Sequence, residues 1–292
     1  MKLLRFAKTL WTECRAGHPE RALRRISYEL IRAFKLQRKF SAPFRGARFH
    51  PFETSLSRAI WLRRESFHRK DLDLLLDFLR PGDCFIDVGA NIGTHSICAS
   101  VKFDQNLRVF AFEPHPIVYR YLMSNIALNQ LSNIEAHNIA LGAEEGEANL
   151  QEDRTDDTSW INPQASASGY RVPVKPLDCL RLQTEGRVTT MKIDVEGYEL
   201  YVLRGGRELS SKMHFLCLEM GDRHSERVGY AARDLMSLLE ENGWRLFRTP
   251  DTHTLEEITS NYQPPDVENL IAVRDIDLLR ERLPSYQQTS IR

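Results

Sequence analysis

Nowhere in its 292 residues does the sequence come near the ~18 consecutive apolar positions that a membrane-crossing helix needs, so no span is expected and the chain should be soluble. It lacks a C-x-x-C pair. Its five cysteines, Cys14, Cys84, Cys98, Cys179 and Cys217, are odd in number and scattered, which argues against a disulfide framework or a zinc site and predicts buried free thiols. The opening MKLLRFAKTLWTECRAG is basic, but Arg5 and Lys8 interrupt any apolar h-region, so a signal peptide is not expected and the reading is cytoplasmic. There is no G-x-S-x-G, no Cys–His pairing that points to covalent catalysis, no internal repeat and no low-complexity tract. A basic strand interleaved with aromatics is also missing, so nucleic acid is not expected as a partner.

Excess charge of either sign is missing too, with 40 basic and 40 acidic residues, yet the balance hides an asymmetry. Residues 1–50 carry +10 and the remainder −10. Within the first part, HPERALRRISYELIRAFKLQRKF places Pro19 where a first helical turn accepts proline, and Leu23, Ile26, Leu30 and Phe34 are spaced to share one helical face. The spacing predicts a basic amphipathic helix. Two roles are open to it: packing on the main domain by its apolar side, or binding an anionic membrane surface or a protein partner.

From residue 71 the pattern becomes regular. KDLDLLLDFL reads as a helix, and strands are predicted at about 84–88, 107–112, 134–139, 188–193, 214–219, 243–248 and 268–273. GTHSICASVKF, PIVYRYLMSNIALNQ and YAARDLMSLLEEN read as helices between them. Strands alternating with helices predict an α/β fold with a mostly parallel sheet, whose ligands bind at the carboxyl ends of the strands. Residues 144–187 break the rhythm as a polar insertion, expected to form a hairpin or a lid.

The end of the first of these strands, FIDVGANIGTHS, turns through Gly89, Ala90 and Gly93 into a helix, so that backbone amides can approach a ligand. The spacing is G-x-x-x-G, whereas the dinucleotide fingerprint is G-x-G-x-x-G, which counts against a nicotinamide cofactor without excluding an NAD(P)-dependent oxidoreductase. Glu113, in FEPHP, ends the next strand. An acid there can accept both hydroxyls of a ribose, and the pair of features predicts a nucleoside-containing ligand.

Taken in order, FIDVGANIGTHS, VFAFEPHP, NIALN, NIALG, VPVKPLDCL and MKIDVEGYELYVLRGG resemble the FkbM family of S-adenosylmethionine-dependent methyltransferases over about residues 60 to 275. The resemblance implies a Rossmann-like, seven-stranded, mostly parallel sheet of the class I methyltransferase kind. It also implies S-adenosyl-L-methionine as cofactor. Asp87, Gly89, Ala90, Asn91 and Gly93 would turn around its methionine part, Glu113 would hold the ribose, and Asn138, Ile139 and Ala140 would border the adenine with Pro114 and His115 opposite. Asp194 would face the methionine amino group or the reacting centre. Residues 1–50 would be a basic helical arm, 51–280 the methyltransferase domain and 281–292 a tail.

Methyl transfer to a hydroxyl needs alignment and a base. The catalytic candidates are Asp194, Glu196, Glu219 and His224. His95, inside the first helix after the turn, reads as a helix-face residue. Asp194, Glu196 and Glu219 are also a conceivable oxygen-ligand set for a hard cation, but no metal is assigned. The expected reaction is O-methylation of a sugar, a glycan or another small-molecule acceptor. Acids 152, 153, 156 and 157 with Trp160 are candidates to meet that acceptor. A catalytically silent relative acting through its basic arm is the competing reading.

Overall fold

The computed structural model describes residues 11–12, 15–17, 19–152, 159–162, 169–264 and 266–290. Helix α1 (Pro19–Ala33) leads to a hairpin of β1 (Ala42–Phe44) and β2 (Ala47–Phe49), followed by α2 (Ser55–Arg63) and α3 (Lys70–Phe78). Then come β3 (Cys84–Val88), α4 (Thr94–Lys102), β4 (Arg108–Phe112), α5 (Pro116–Leu128) and β5 (Ile134–His137). Next are β6 (Ala140–Leu141), β7 (Gly146–Glu152), β8 (Ser159–Asn162) and β9 (Tyr170–Lys175), which form a separate four-stranded sheet in the order β6-β9-β7-β8. The segment expected as a hairpin or lid is therefore the greater part of a small sheet.

The main sheet resumes with β10 (Thr189–Ile193), α6 (Glu199–Gly205), β11 (Phe215–Met220), α7 (Ala232–Glu241) and β12 (Arg245–Arg248). It closes with β13 (Thr254–Ile258), β14 (Glu268–Val273), α8 (Ile276–Arg282) and β15 (Gln287–Ser290). The order is β15-β13-β12-β14-β11-β10-β3-β4-β5, with β10, β11, β3, β4 and β5 mutually parallel and β14 antiparallel to β11 and β12. All seven predicted strands are present. The sheet nonetheless has nine strands, because β13 and β15 extend it past β12. Neither shows apolar alternation: β13 carries Glu256 and Glu257, which meet Arg248 and Arg245 of β12 at 2.7 and 2.6 Å across the strands. Residues 287–290, expected within a tail, form the edge strand.

The central strands are buried on both faces, as helices on either side require; every residue of β3 and β10 is buried. Each fully covered Phe85, Ile86 or Met191 contributes about 1.5–3 kcal/mol of apolar burial. Of the four described cysteines, Cys84, Cys98 and Cys217 are buried free thiols and Cys179 is exposed. The chain crosses the sheet from β3 outward to β5 and returns at β10, so the switch point lies between β3 and β10. A ligand crevice opens there by topology. Two asparagines of NIALN secure the hairpin beside it: Asn125 accepts from the His50 amide at 3.0 Å and donates to the Ile92 carbonyl at 3.0 Å, and Asn129 pairs with both backbone groups of Arg48.

The amphipathic arm helix forms, and of the two roles open to it the packing of its apolar stripe on the domain is not seen. Ala22, Tyr28 and Ile31 are buried, with the Tyr28 hydroxyl donating to the Phe52 carbonyl at 2.6 Å, while Leu23, Ile26, Leu30 and Phe34 are exposed. Backbone and aromatic polar groups set the docking angle: the Trp61 indole donates to the Arg24 carbonyl and the Arg24 guanidinium to that of Leu62. No helix among the described residues is long and apolar enough to cross a membrane.

Candidate active site

At the switch point lies a cavity of about 560 Å³, within the ~300–1,000 Å³ typical of ligand sites. Its lining joins the carboxyl ends of five parallel strands: Gly89, Ala90 and Asn91 after β3, Glu113, Pro114 and His115 after β4, Ile139 and Ala140 after β5, Asp194 and Glu196 after β10, and Glu219 at the end of β11. Of the predicted positions, Asp87, Gly93, Asn138 and His224 do not line it. Each braces a residue that does.

The glycine turn is shaped by its neighbours as much as by any ligand. Gly89 has φ +77°, and a Cβ on it would run into the Asp194 carbonyl, so the loops after β3 and β10 touch through backbone. Asp87, fully buried, accepts from the Ser96 amide and hydroxyl at 3.2 and 2.6 Å and fastens α4 to β3. Gly93, at φ +90°, lies against Leu122 and Ile97. Asn91 accepts from the Ile92 amide, which holds the turn in its positive-φ conformation.

Glu113 fits a ribose. One of its carboxylate oxygens accepts from the Asn91 amide and the other from the His115 amide, both at 2.8 Å, which leaves each oxygen a further lone pair in a cavity that the residue lines. Burial pushes its carboxyl up to about 7, against the pull of the two amides. Asn138 donates to the carbonyls of Glu113 and Pro114 at 2.8 and 2.9 Å and clamps that turn from behind. His115 caps α5 through Nδ1 and has its ring 4.6 Å from that of Tyr170. Beside it the wall is apolar, with Val118, Ile139, Leu141, Leu150 and Ile161, the last two supplied by the inserted sheet. That wall suits a flat, neutral base. The side chains of residues 152 and 160, and residues 153, 156 and 157 as a whole, lie outside the described residues.

The opposite end is charged. Lys192, buried in β10, reaches Asp194 at 3.1 Å and Asp87 at 3.6 Å, and donates to the Gly89 carbonyl at 3.3 Å. Burial opposes the charge on both partners of the first pair, but each is over-compensated: Asp194 and Asp87 raise the Lys192 ammonium, while Lys192 and Arg69 hold the Asp194 carboxyl below its ordinary range. Arg69 grips Asp71 with two nitrogens at 3.1 and 2.6 Å, and Asp71 also hydrogen-bonds His95 Nε2 at 2.8 Å. Burial would raise the Asp71 carboxyl, yet His95 and Arg69 bring it well below the usual value. Arg69 and His95 both line the cavity.

Glu219 is the contrary case. Burial and then repulsion from Asp194, Glu196 and Glu199 push its carboxyl up to about 9. His224 stands behind it, with Nδ1 3.4 Å from Glu196 and 3.7 Å from Glu219. These three residues, and not Asp194, offer ligand atoms within 4.8 Å of one another, because Asp194 turns toward Lys192. Gly197, at φ +106°, is pressed on the His224 carbonyl, and the buried Glu199 accepts from the amides of Val195 and Gly197 at 3.2 and 3.1 Å. Glu199 thus shapes the loop that presents Asp194 and Glu196.

Nothing in the sequence marks Arg69, Asp71 or Glu199 as part of the site, and His95, expected on a helix face, lines the cavity instead. Lys192, an ammonium inside the apolar strand that leads into KIDVEG, is the one anomaly that could have been detected. A further part of the cavity wall, Ser55, Ala59, Arg63 and Phe67, comes from α2 and the segment after it, ahead of the regular pattern.

Residues 87–246 match the family model described as the methyltransferase FkbM domain. The chain is 28% identical over 188 residues to the hexuronic acid methyltransferase AglP of Haloferax volcanii, covering 62% of this chain and 72% of that one. It is 30% identical over 148 residues to methyltransferase 1 of Beauveria bassiana, covering 43% of this chain but only 59% of the relative. A SAM-dependent methyltransferase structure from Aquifex aeolicus superposes with a TM-score of 0.41 at 13% identity, over 74% of this chain and 96% of that one. With the nine-stranded α/β sheet and a cavity suited to a nucleoside at its switch point, the match over more than half of its length makes this chain a member of the FkbM methyltransferase family, with S-adenosylmethionine as its methyl donor.

Proposed function

We propose that the protein transfers a methyl group to a hydroxyl of a sugar or a related biosynthetic product. The observation that carries this reading is the contrast along the cavity: an acid placed for a ribose in an apolar surround at one end, and at the other a buried imidazole held by a carboxylate. S-adenosylmethionine supplies the activated methyl on a sulfonium centre. Glu113 accepts the ribose hydroxyls, and Val118, Ile139, Leu150 and Ile161 exclude water around the base. Lys192 and Arg69 give the methionine carboxylate a cationic side, while Asp194 takes its amino group.

For an O-methylation the acceptor hydroxyl must lose a proton. Of the three imidazoles nearby, His224 does not line the cavity, His115 uses its Nδ1 to cap α5, and His95 lines the cavity. Asp71 holds Nε2 of His95, fixing the tautomer in which Nδ1 is the basic nitrogen; no protein hydrogen bond to Nδ1 is present among the described residues. We assign the proton to His95 Nδ1, with Asp71 stabilising the imidazolium and Arg69 orienting Asp71. Glu196 and Glu219 bound the acceptor side.

An acidic sugar is favoured by Arg63, an exposed guanidinium at the cavity wall whose centre lies 5.8 Å from the Phe67 ring. The name of the Haloferax volcanii relative points the same way. Incubation with labelled S-adenosylmethionine and a panel of free and lipid-linked uronic acids, neutral hexoses and simple phenols tests the assignment. Label transferred to sugar hydroxyls supports it; transfer to the phenols alone, or to none of the panel by protein that binds the donor, contradicts it.

A further inference from the structure

Among the described residues seven large hydrophobic side chains are exposed, and six of them, Trp11, Leu23, Ile26, Leu30, Phe34 and Phe40, precede residue 41. Four form one stripe along α1, at 68%, 39%, 52% and 69% exposure for Leu23, Ile26, Leu30 and Phe34. The helix docks on the domain through Ala22, Tyr28 and Ile31, which leaves this stripe in solvent. At its carboxyl-terminal end an apolar groove of about 360 Å³ opens between Leu30, Ile31, Phe34, Leu36, Phe40 and Trp61. A contiguous apolar patch on an otherwise polar surface marks an interaction site.

The charge beside the stripe decides its occupant. Lys35, Arg38 and Lys39 are exposed just after α1, and no side-chain ion pair engages them among the described residues. Other cations of the segment are used internally: Arg32 pairs with Glu29 and Glu53, and Arg45 with Asp73 at 2.7 Å. An apolar protein surface would leave three ammonium and guanidinium groups at its rim uncompensated. An anionic bilayer accepts both features, the stripe at the acyl boundary and the cations among the phosphates.

We propose that α1 docks the protein on an anionic lipid surface, lying in the interface plane with Leu23, Ile26, Leu30 and Phe34 inserted and Lys35, Arg38 and Lys39 on lipid phosphates. The geometry couples this surface to the cavity. Helix α2 hydrogen-bonds α1 through Trp61 and also supplies Ser55, Ala59 and Arg63 to the cavity wall. The docking surface and the cavity are therefore joined through α1 and α2, which are hydrogen-bonded to each other.

Sedimentation of the full chain with phosphatidylcholine vesicles, with and without about one third phosphatidylglycerol, tests the proposal. Binding should be at least about tenfold stronger to the anionic vesicles and weaken with salt. It should fall about tenfold or more in Leu30→Ser/Phe34→Ser and again in Lys35→Glu/Arg38→Glu/Lys39→Glu. Every one of these side chains is exposed, so both variants should keep the wild-type unfolding transition, which confirms that they fold. No binding to anionic vesicles, equal binding to both lipids, or unchanged binding in both variants overturns the proposal. A concentration-dependent dimer lost in Leu30→Ser/Phe34→Ser, without vesicle binding, overturns it as well and assigns the stripe to a second copy. Docking needs no methyl donor, so a negative result leaves the cavity assignments untouched.

Discussion

The two ends of the cavity hold their charges in opposite ways. At the end proposed for the nucleoside Glu113 stands beside apolar side chains and is fixed by two amides, one of its own turn and one of the turn beside it. At the charged end, where the reaction is proposed, Arg69, Asp71, His95, Lys192, Asp194, Glu196 and Glu219 arrive from α3 and its approach, α4, β10, β11 and their loops, and each is compensated or opposed by another. The first end is set by backbone and can do one thing, accept hydrogen bonds. The second is a balance of side chains, which can change protonation as a reaction proceeds without moving the chain.

The contrast breaks most visibly at His95. His95→Asn should lower turnover about 10²–10⁴-fold while leaving affinity for S-adenosylhomocysteine within a few-fold, because a base acts only on the acceptor. Asp71→Asn should reproduce part of that loss with a displaced pH–rate profile. Retained turnover in His95→Asn with loss in His224→Asn would move the base to the other imidazole.

A smaller effect concerns stability. Glu219 has its folded pKa raised to about 9 from an ordinary 4.5, so the folded state holds a proton that the unfolded state has released, and this group's contribution to stability falls as pH rises from about 4.5 to 9. Glu219→Gln removes that penalty. Its Tm should exceed the wild type by about 3 °C or more at pH 8 and match it at pH 5; an equal difference at both would remove charge as the cause.

The smallest effect separates donor from product. S-adenosylmethionine carries a sulfonium charge and S-adenosylhomocysteine does not, so ionisation of Glu219 should favour the donor. The ratio of their affinities should rise between pH 7 and 9, by about fivefold where the sulfonium lowers the Glu219 pKa from about 9 by about one. A flat ratio in titrations across that range would place Glu219 away from the sulfur.

How much of this was legible depended on the range of the interaction. The seven strands announced themselves through concentrated apolar residues, most densely in runs such as CFIDV and HFLCLE from the buried centre of the sheet. Strand β13 did not, since Glu256 and Glu257 are satisfied by arginines of β12, which only pairing brings near. The positions of the glycine turn and of Glu113 at the ends of adjacent strands could be read locally, because each is recognisable from the few residues around it. The Asp71–His95 bond spans 24 positions, so no local pattern marked it, and Lys192 stands out locally only as an ammonium in an apolar strand, its partner Asp87 lying on the neighbouring strand. The arm helix shows the same limit: its periodicity was correct, but polar docking groups on Tyr28, Arg24 and Trp61 chose the buried face.

Calorimetric titration of the wild type and Glu113→Ala with S-adenosylhomocysteine, with NADH as control, tests the central claim most directly. Micromolar binding of the homocysteine ligand alone, weakened by about 2–4 kcal/mol in Glu113→Ala, is the predicted result, the scale of two charge-assisted hydrogen bonds. Equal affinity in the two proteins, or preference for NADH, would contradict the ribose assignment and the cavity reading built on it.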